Sequence, residues 1–220
     1  MSDWPVELRG VTETVVTTRG PNDRWNLAAL GVQAPAGAER ASGEHSEPRA
    51  APVEHNSATA TTWGNTRTRR NFHREGEGYV QFVSDPVVFA DAALSIREAD
   101  EPVLDAADAW ARVDVEQTGA DTVGGSDAVD DEDDGSTRRE HWALEPVEAG
   151  VERERPFTIN RGFAAVVEAT VAASRLDVPG YDTETLRERL RYFGDVAQTC
   201  GGEREREAIE QVREHADGEW

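Results

Sequence analysis

The spacing of apolar residues changes once along this 220-residue chain, and the change constrains the fold more than any other feature. Short runs in which apolar or β-branched residues alternate with polar ones predict strands. These runs cover residues 8–20, 25–33, 79–85, 109–118 and 138–151. From Asn160 onward the apolar residues recur at helical spacing instead. The sequence therefore predicts an α+β chain with a β-rich part over 1–152 and a helical part over 153–220.

Capping and stop signals locate the helices. Asn65 or Thr66 can cap a helix that ends near Glu75, where glycines follow. The other predicted helices begin at a cap residue or after a glycine stop, and cover 86–94, 160–173, 182–200 and 203–216. Asn160 is itself interpreted as a helix cap.

Two segments, 34–60 and 119–137, show no sustained period and are predicted to be flexible loops. The last residues of the first segment are compatible with a strand. The second holds seven acids and no base, but its spacing lacks the ligand offsets of a calcium-binding loop.

The charge is strongly negative, with 44 acidic against 23 basic residues and a net charge of -21. Every basic residue is arginine. This composition is typical of cytoplasmic proteins of salt-loving archaea, because carboxylates keep a surface hydrated in concentrated salt. It argues against nucleic acid as a partner, since phosphate contacts need an extended basic face.

Other function classes are disfavoured by what the sequence contains. A single cysteine, Cys200, cannot form a disulfide within the chain and is interpreted as a small packing residue. The five histidines show no metal-ligand spacing, so no metal site is predicted. No apolar run approaches the length of a membrane span, and we expect a cytoplasmic protein.

One short stretch, 63-WGNTRTRRNFHREGEG-78, gathers four arginines against the trend of the chain. A capped helix start offers free backbone N–H groups and the positive end of the helix dipole. Arg67, Arg70 and Arg74 fall near one helix face, whereas Arg69 points elsewhere. The spacing is compatible with a phosphate site, but it favours surface ion pairs to the surrounding carboxylates.

Several motifs taken together resemble domain-of-unknown-function family 447 of archaea. They include "NLAALG", "TRTRRNF", "YVQFVSDPVVFADAAL", "RPFTINRGFAAVVEATVAASRL" and "CGGERE". The resemblance covers about residues 8–215. It implies a flavin-binding split β-barrel of the flavin-reductase type with a helical C-terminal extension. It also implies a homodimer with FMN at or near the dimer interface.

The resemblance implies candidate cofactor-binding residues in two segments. In the strand that passes the flavin ring they are Asn26, Leu27, Ala28 and Ala29, whose backbone groups would reach the polar edge of the ring. In the turn and helix suited to the FMN phosphate they are Thr66, Arg67 and Thr68, with Asn71 ordering the loop. Trp25 and Trp63 flank these segments, where they can stack on the ring or pack in the core.

Two functions stay open at this stage. The first is an FMN-dependent oxidoreductase that accepts electrons from a nicotinamide or another donor, and no catalytic acid or base can be named for it. The second is a dimer that binds or senses flavin, or another phosphorylated ligand, without turnover. A dimer with a vestigial site is the remaining alternative.

Overall fold

The computed structural model describes residues 2–34, 56–123, 137–178 and 180–216. Its strands are β1 (Val11–Arg19), β2 (Trp25–Gln33), β3 (Ala58–Trp63), β4 (Glu77–Val83), β5 (Arg97–Ala99), β6 (Ala107–Val123) and β7 (Thr137–Val151). Its helices are α1 (Arg67–Glu75), α2 (Pro86–Leu94), α3 (Arg161–Ala173), α4 (Thr183–Cys200) and α5 (Glu203–His215). None of the described helices is long and apolar enough to cross a membrane.

The first two strands form the predicted hairpin. They pair antiparallel over their full length, from Val11 opposite Gln33 to Arg19 opposite Trp25. The turn between them places Asp23 at a φ of 63°, a left-handed conformation that Asp tolerates better than most residues. β-branched residues dominate β1, and such residues pack well in a sheet; residues 14–18 of this strand are buried.

Six of the strands close into an antiparallel barrel. The order is β1-β4-β6-β7-β3-β2, and β2 pairs again with β1. Short β5 adds to the free edge at the start of β2. The longest strand pairing is between β6 and β7. It runs from Ala109 opposite Val151 to Val123 opposite Thr137.

Successive side chains of β1 point to opposite faces of the strand and join two different hydrophobic clusters. Val16 points into the barrel, where it joins a cluster that includes Val80, Leu144 and Trp142. The indole N–H of Trp142 donates to Thr62 Oγ1 at 2.9 Å, so this large buried ring keeps its hydrogen bond. Val15 points outward instead and packs with residues of α2 and α3. The helical part therefore covers one outer face of the barrel.

A carboxylate joins the starts of two helices where the helical part begins. Asn160 caps α3, and its Oδ1 accepts from the Gly162 N–H at 2.9 Å. Its Nδ2 donates to Glu205 Oε1 at 2.6 Å, and Glu205 Oε2 accepts from the Gly202 N–H at 2.8 Å. Buried Glu205 therefore fixes α3 against α5.

Most predicted elements are confirmed, with two differences. Residues 119–123, expected in a loop, continue β6, because pairing with β7 extends beyond the irregularity near Gly119. Strand β5 was not predicted, because three residues give no period to detect. Residues 58–60 begin β3, which agrees with the strand expected at the end of the first segment; residues 35–55 and 124–136 lie outside the described residues. The caps at Thr66, Asp85 and Asn160 form as expected.

We predict that Gly162→Ala destabilises the protein by about 1–3 kcal/mol, since a methyl group there overpacks a buried junction. A Cβ at this position would lie 2.4 Å from the Gly201 Cα atom. Chemical unfolding in molar KCl measures the change. The matched control is Gly119→Ala, whose Cβ would meet only His141 Cδ2 at 3.7 Å. Equal stability of Gly162→Ala and the control would contradict the close packing of the start of α3 against the connection between α4 and α5.

Candidate functional site

The barrel is open on one side, where β2 and β3 diverge. Strand β2 pairs with β3 only at Val32 and Gln33, and with β5 only from Trp25 to Leu27. Among the described strands, residues 28–31 of β2 have a partner on the β1 side alone. We call this opening, between residues 28–31 of β2 and residues 61–63 of β3, the split.

Backbone groups of β2 face the split. The hydroxyl of Thr14 on β1 donates to the Leu30 carbonyl at 2.7 Å, so this carbonyl faces β1. Because peptide groups of successive residues alternate between the two sides of an antiparallel strand, those of Ala29 and Gly31 face the split. These N–H and C=O groups form a short row of donors and acceptors without a neighbouring described strand.

The start of α1 follows β3, the strand on the other side of the split. Strand β3 leads through Gly64 into Thr66, whose Oγ1 accepts from the Arg69 N–H at 3.2 Å. Arg67 Nη1 donates to Glu98 Oε1 at 2.9 Å. Glu98 lies opposite Asn26 in the β2–β5 ladder, so this ion pair joins the helix start to β2.

A second contact joins the middle of α1 to the same place. Asn71 is buried, and its Nδ2 donates to Thr18 Oγ1 at 2.9 Å. Thr18 lies opposite Asn26 in the β1–β2 ladder. Arg67 and Asn71 on α1 therefore lie close to Asn26 on β2, which is far from them in sequence.

Thr68 contributes a hydroxyl at the same helix start. The residue as a whole is only 4% exposed. Its hydroxyl has no hydrogen-bond partner among the residues that the structure describes. The Thr68 Oγ1 atom is not one of the fully buried polar atoms that lack a partner, so solvent reaches it and it can donate to a ligand.

The other predicted residues of β2 can offer only their backbone. The side chains of Leu27 and Ala29 pack against the outer cluster around Phe89. Ala28 packs with the barrel interior. This arrangement agrees with a backbone role, although the ligand contacts of these residues stay a prediction.

The arginine stretch divides into two pairs. Arg67 and Arg70 remain exposed near the helix start, and Arg70 Nη1 donates to the Asn65 carbonyl at 2.8 Å. Arg74 lies on the same helix, where it donates to the Arg19 carbonyl and to Asn71 Oδ1. Arg69 turns towards the barrel and Glu140.

Glu140 is the buried partner that sequence reasoning missed. It is 1% exposed, and its carboxylate accepts from His73 Nε2 at 2.6 Å and from Arg138 Nε at 2.8 Å. Arg69 Nε lies 3.1 Å away and contributes charge without hydrogen-bond alignment. Burial acts to raise the pKa of Glu140, but the hydrogen bonds from His73 and Arg138 and the charge of Arg69 outweigh it and lower the pKa. The alternation of β7 was the available signal, because it places Glu140 on the same face as Trp142.

The two tryptophans that flank the candidate segments, and Cys200, differ in their surroundings. The ring of Trp25 packs edge-on against Tyr79, with centroids 5.3 Å apart. Trp63 is exposed near the split and carries the Arg139 guanidinium 5.1 Å above its ring. Cys200 is exposed at the end of α4, so its interpretation as a packing residue is wrong.

The chain belongs to the family described as Protein of unknown function (DUF447). The family model for the N-terminal domain matches residues 12–153, and the model for the C-terminal part matches residues 160–214. These matches confirm the resemblance inferred from the motifs. No curated protein matches the sequence.

One solved structure shares the fold, and two others are similar over part of the chain. An FMN-bound protein of the same family from Methanosarcina mazei has a TM-score of 0.66 and 23% identity, covering 94% of this chain and 95% of that chain. A flavoredoxin from Methanosarcina acetivorans has a TM-score of 0.42 and 12% identity, covering 68% and 72%. An FMN-binding protein from Thermus thermophilus has a TM-score of 0.41 and 12% identity, covering 65% and 72%. The predicted split barrel with a helical C-terminal region is confirmed.

We predict that Glu140→Gln destabilises the protein at neutral pH, by at least about 1.5 kcal/mol, because charge-assisted hydrogen bonds to α1 are lost. The folded-state pKa of Glu140 is lowered, so its stabilising contribution is present above the pKa of the unfolded chain. That contribution is lost as the pH falls through the folded pKa. Denaturant unfolding at a series of pH values should therefore show the two proteins converging in acid.

The control for this series is Glu145→Gln, an exposed position on the same strand. It should leave the free energy of unfolding within about 0.5 kcal/mol of the original protein. A constant difference between Glu140→Gln and the original protein at every pH would contradict the proposed charge of Glu140.

Proposed function

We propose that this chain binds FMN in the split, with the phosphate at the start of α1 and the polar edge of the flavin ring along β2. The observation that carries the proposal is the row of backbone groups at Ala29 and Gly31, together with the helix start that follows β3, the strand at the other border of the split. The FMN-bound protein from Methanosarcina mazei, which shares the family and the fold, supports FMN as the ligand.

The helix start has the donor set that a phosphate requires. The first backbone N–H groups of a helix have no partner within the helix, and the helix dipole is positive there. In α1 these groups belong to Arg67 and Thr68, since the Arg69 N–H already donates to Thr66. The Thr68 hydroxyl adds a further donor. Arg67 donates one of its five N–H groups to Glu98, and the others can face a phosphate.

The β2 edge has the donors and acceptors that the polar edge of a flavin requires. Backbone groups are fixed by the pairing of β2 with β1, so they need no reorganisation to bind. Small residues at Ala28, Ala29 and Gly31 let a planar ring approach the strand closely.

FMN supplies the redox chemistry, and the protein supplies binding, orientation and shielding. We infer an oxidoreductase of the flavin-reductase type that acts as a homodimer and takes electrons from a nicotinamide or another donor. Binding of flavin without turnover is the alternative, and the same site accounts for both.

We predict that Thr68→Val weakens FMN binding roughly ten- to hundredfold, the equivalent of about 1.5–3 kcal/mol for a hydrogen bond to a charged group. Riboflavin, which lacks the phosphate, should bind with nearly unchanged affinity. Fluorescence titration of both ligands measures the two dissociation constants. Thr68→Ser, which keeps the hydroxyl, is the matched control and should retain FMN affinity. Equal weakening of FMN and riboflavin would remove the phosphate assignment.

We also predict that NADH or NADPH reduces bound FMN within seconds in molar KCl. Stopped-flow absorbance of the flavin band under anaerobic conditions measures the rate. Free FMN at the same concentration is the control, because it reacts with these donors very slowly. Protein-bound FMN that stays oxidised with both donors would favour the binding function over the oxidoreductase.

A further inference from the structure

Glu13 on β1 lies over the row of backbone groups that borders the split. It stands opposite Gly31 in the β1–β2 ladder. A Cβ atom built on Gly31 would lie 3.6 Å from Glu13 Oε1 and 3.7 Å from Glu13 Oε2, so the carboxylate of Glu13 extends across β2 onto this glycine. Because Gly31 has no side chain, only backbone separates the carboxylate from the edge of β2 that faces the split.

The carboxylate of Glu13 has no partner, although many acids of this chain are paired with arginine. Within the described residues it accepts no hydrogen bond and forms no ion pair. The charged groups that act on it, Arg175 and Glu168, have other partners. The Arg175 guanidinium lies 5.2 Å above the Tyr181 ring, and Glu168 Oε2 accepts from Arg189 Nη2 at 2.6 Å. The carboxyl group of Glu13 can therefore exchange a hydrogen bond with a ligand.

The surroundings of Glu13 favour its protonated form. Partial burial raises the pKa of Glu13 above its ordinary value; the charge of Arg175 opposes this shift, and the charge of Glu168 adds to it. In molar KCl, where the Debye length is about 3 Å, the two charges are screened, whereas burial still acts. The residue as a whole remains exposed to water, so a proton that it gives up can be replaced from solvent.

The proposed ligand needs a proton at the place where Glu13 lies. A hydride from a nicotinamide brings two electrons and one proton to a flavin ring, which then carries an additional negative charge at its polar edge. In the proposed function, that edge lies along the backbone of Ala29 and Gly31. A carboxylic acid at Gly31 can neutralise the charge by proton transfer, and a positioned acid of this kind contributes roughly 10²–10⁴-fold to a rate.

We propose that Glu13 is the proton donor for the reaction in the split. This role rests on the proposed function. In the step, the O–H bond of the Glu13 carboxyl group breaks as an N–H bond forms at the polar edge of the ring, and the nicotinamide leaves in its oxidised form. The carboxylate that remains takes a proton from water. One hydride and one proton thus enter the ring in each reduction.

The protonation of Glu13 is measured first, without flavin. Carbon-13 NMR of the side-chain carboxyl groups in molar KCl follows the titration, and comparison with Glu13→Gln assigns the signal. We expect a midpoint at higher pH in the folded chain than for a glutamate in the urea-unfolded chain. A midpoint at or below the unfolded value would overturn the proposal, because the fold would then not favour the protonated acid.

Stopped-flow reduction of bound FMN by NADH tests the donor role. In the original chain, the rate should fall as the pH rises through the midpoint of Glu13. Glu13→Gln should still bind FMN, react at least tenfold more slowly below that midpoint and lose this pH dependence. Glu13→Asp, which keeps a carboxyl group, should retain a pH dependence. The matched control is Glu145→Gln, which removes an exposed carboxylate from β7 and should react like the original chain.

The outcomes separate this inference from the proposed function. An original chain that binds no FMN would overturn both. Bound FMN that neither NADH nor NADPH reduces would leave the binding site standing and overturn the donor role. Equal rates and equal pH profiles in Glu13→Gln and the original chain would overturn the role of Glu13 alone. Loss of FMN binding in Glu13→Gln would assign this residue to binding and likewise overturn proton donation.

Discussion

The architecture depends on how β2 distributes its backbone hydrogen bonds. The strand is paired with β1 along its entire length, from Trp25 to Gln33, but it meets β3 at only two residues. A barrel strand that loses one neighbour must expose peptide groups or offer them to something else. Those groups face the split, and α1 and β5 stand at its border. We propose that this unpaired edge is where the barrel accepts a planar polar ligand.

Glu140 explains much of the arginine stretch. A buried carboxylate is costly unless cations and hydrogen bonds surround it, and α1 brings His73 and Arg69 to it. Two of the four arginines in the stretch therefore serve the fold, since Arg74 also fastens α1 to β1 through the Arg19 carbonyl. Arg67 and Arg70 are left near the helix start. Ion pairs and backbone contacts therefore account for part of the stretch, and the proposed anion site concerns the two arginines near the helix start.

The sequence predicted those features that arise from local patterns. Alternation located β1 and β2, and the side chains of Thr66 and Asn160 marked helix starts, because capping needs only neighbouring residues. Features made by distant contacts were not predictable in the same way. Glu98 can pair with Arg67 because β5 pairs with β2. The edge of β2 at Gly31 is unpaired because β3 pairs with β2 only at Val32 and Gln33. The motifs of the family located the candidate site segments in the sequence. That the Thr68 hydroxyl has no partner among the described residues could be seen only in the folded structure.

A crystal structure of the protein grown with FMN is the most direct test of the central claim. The account predicts a phosphate within hydrogen-bond distance of the Thr68 hydroxyl and of the backbone N–H groups at the start of α1. It also predicts the polar edge of the ring against the backbone of Ala29 and Gly31. A flavin bound elsewhere, or a split that stays empty at saturating FMN, would contradict it.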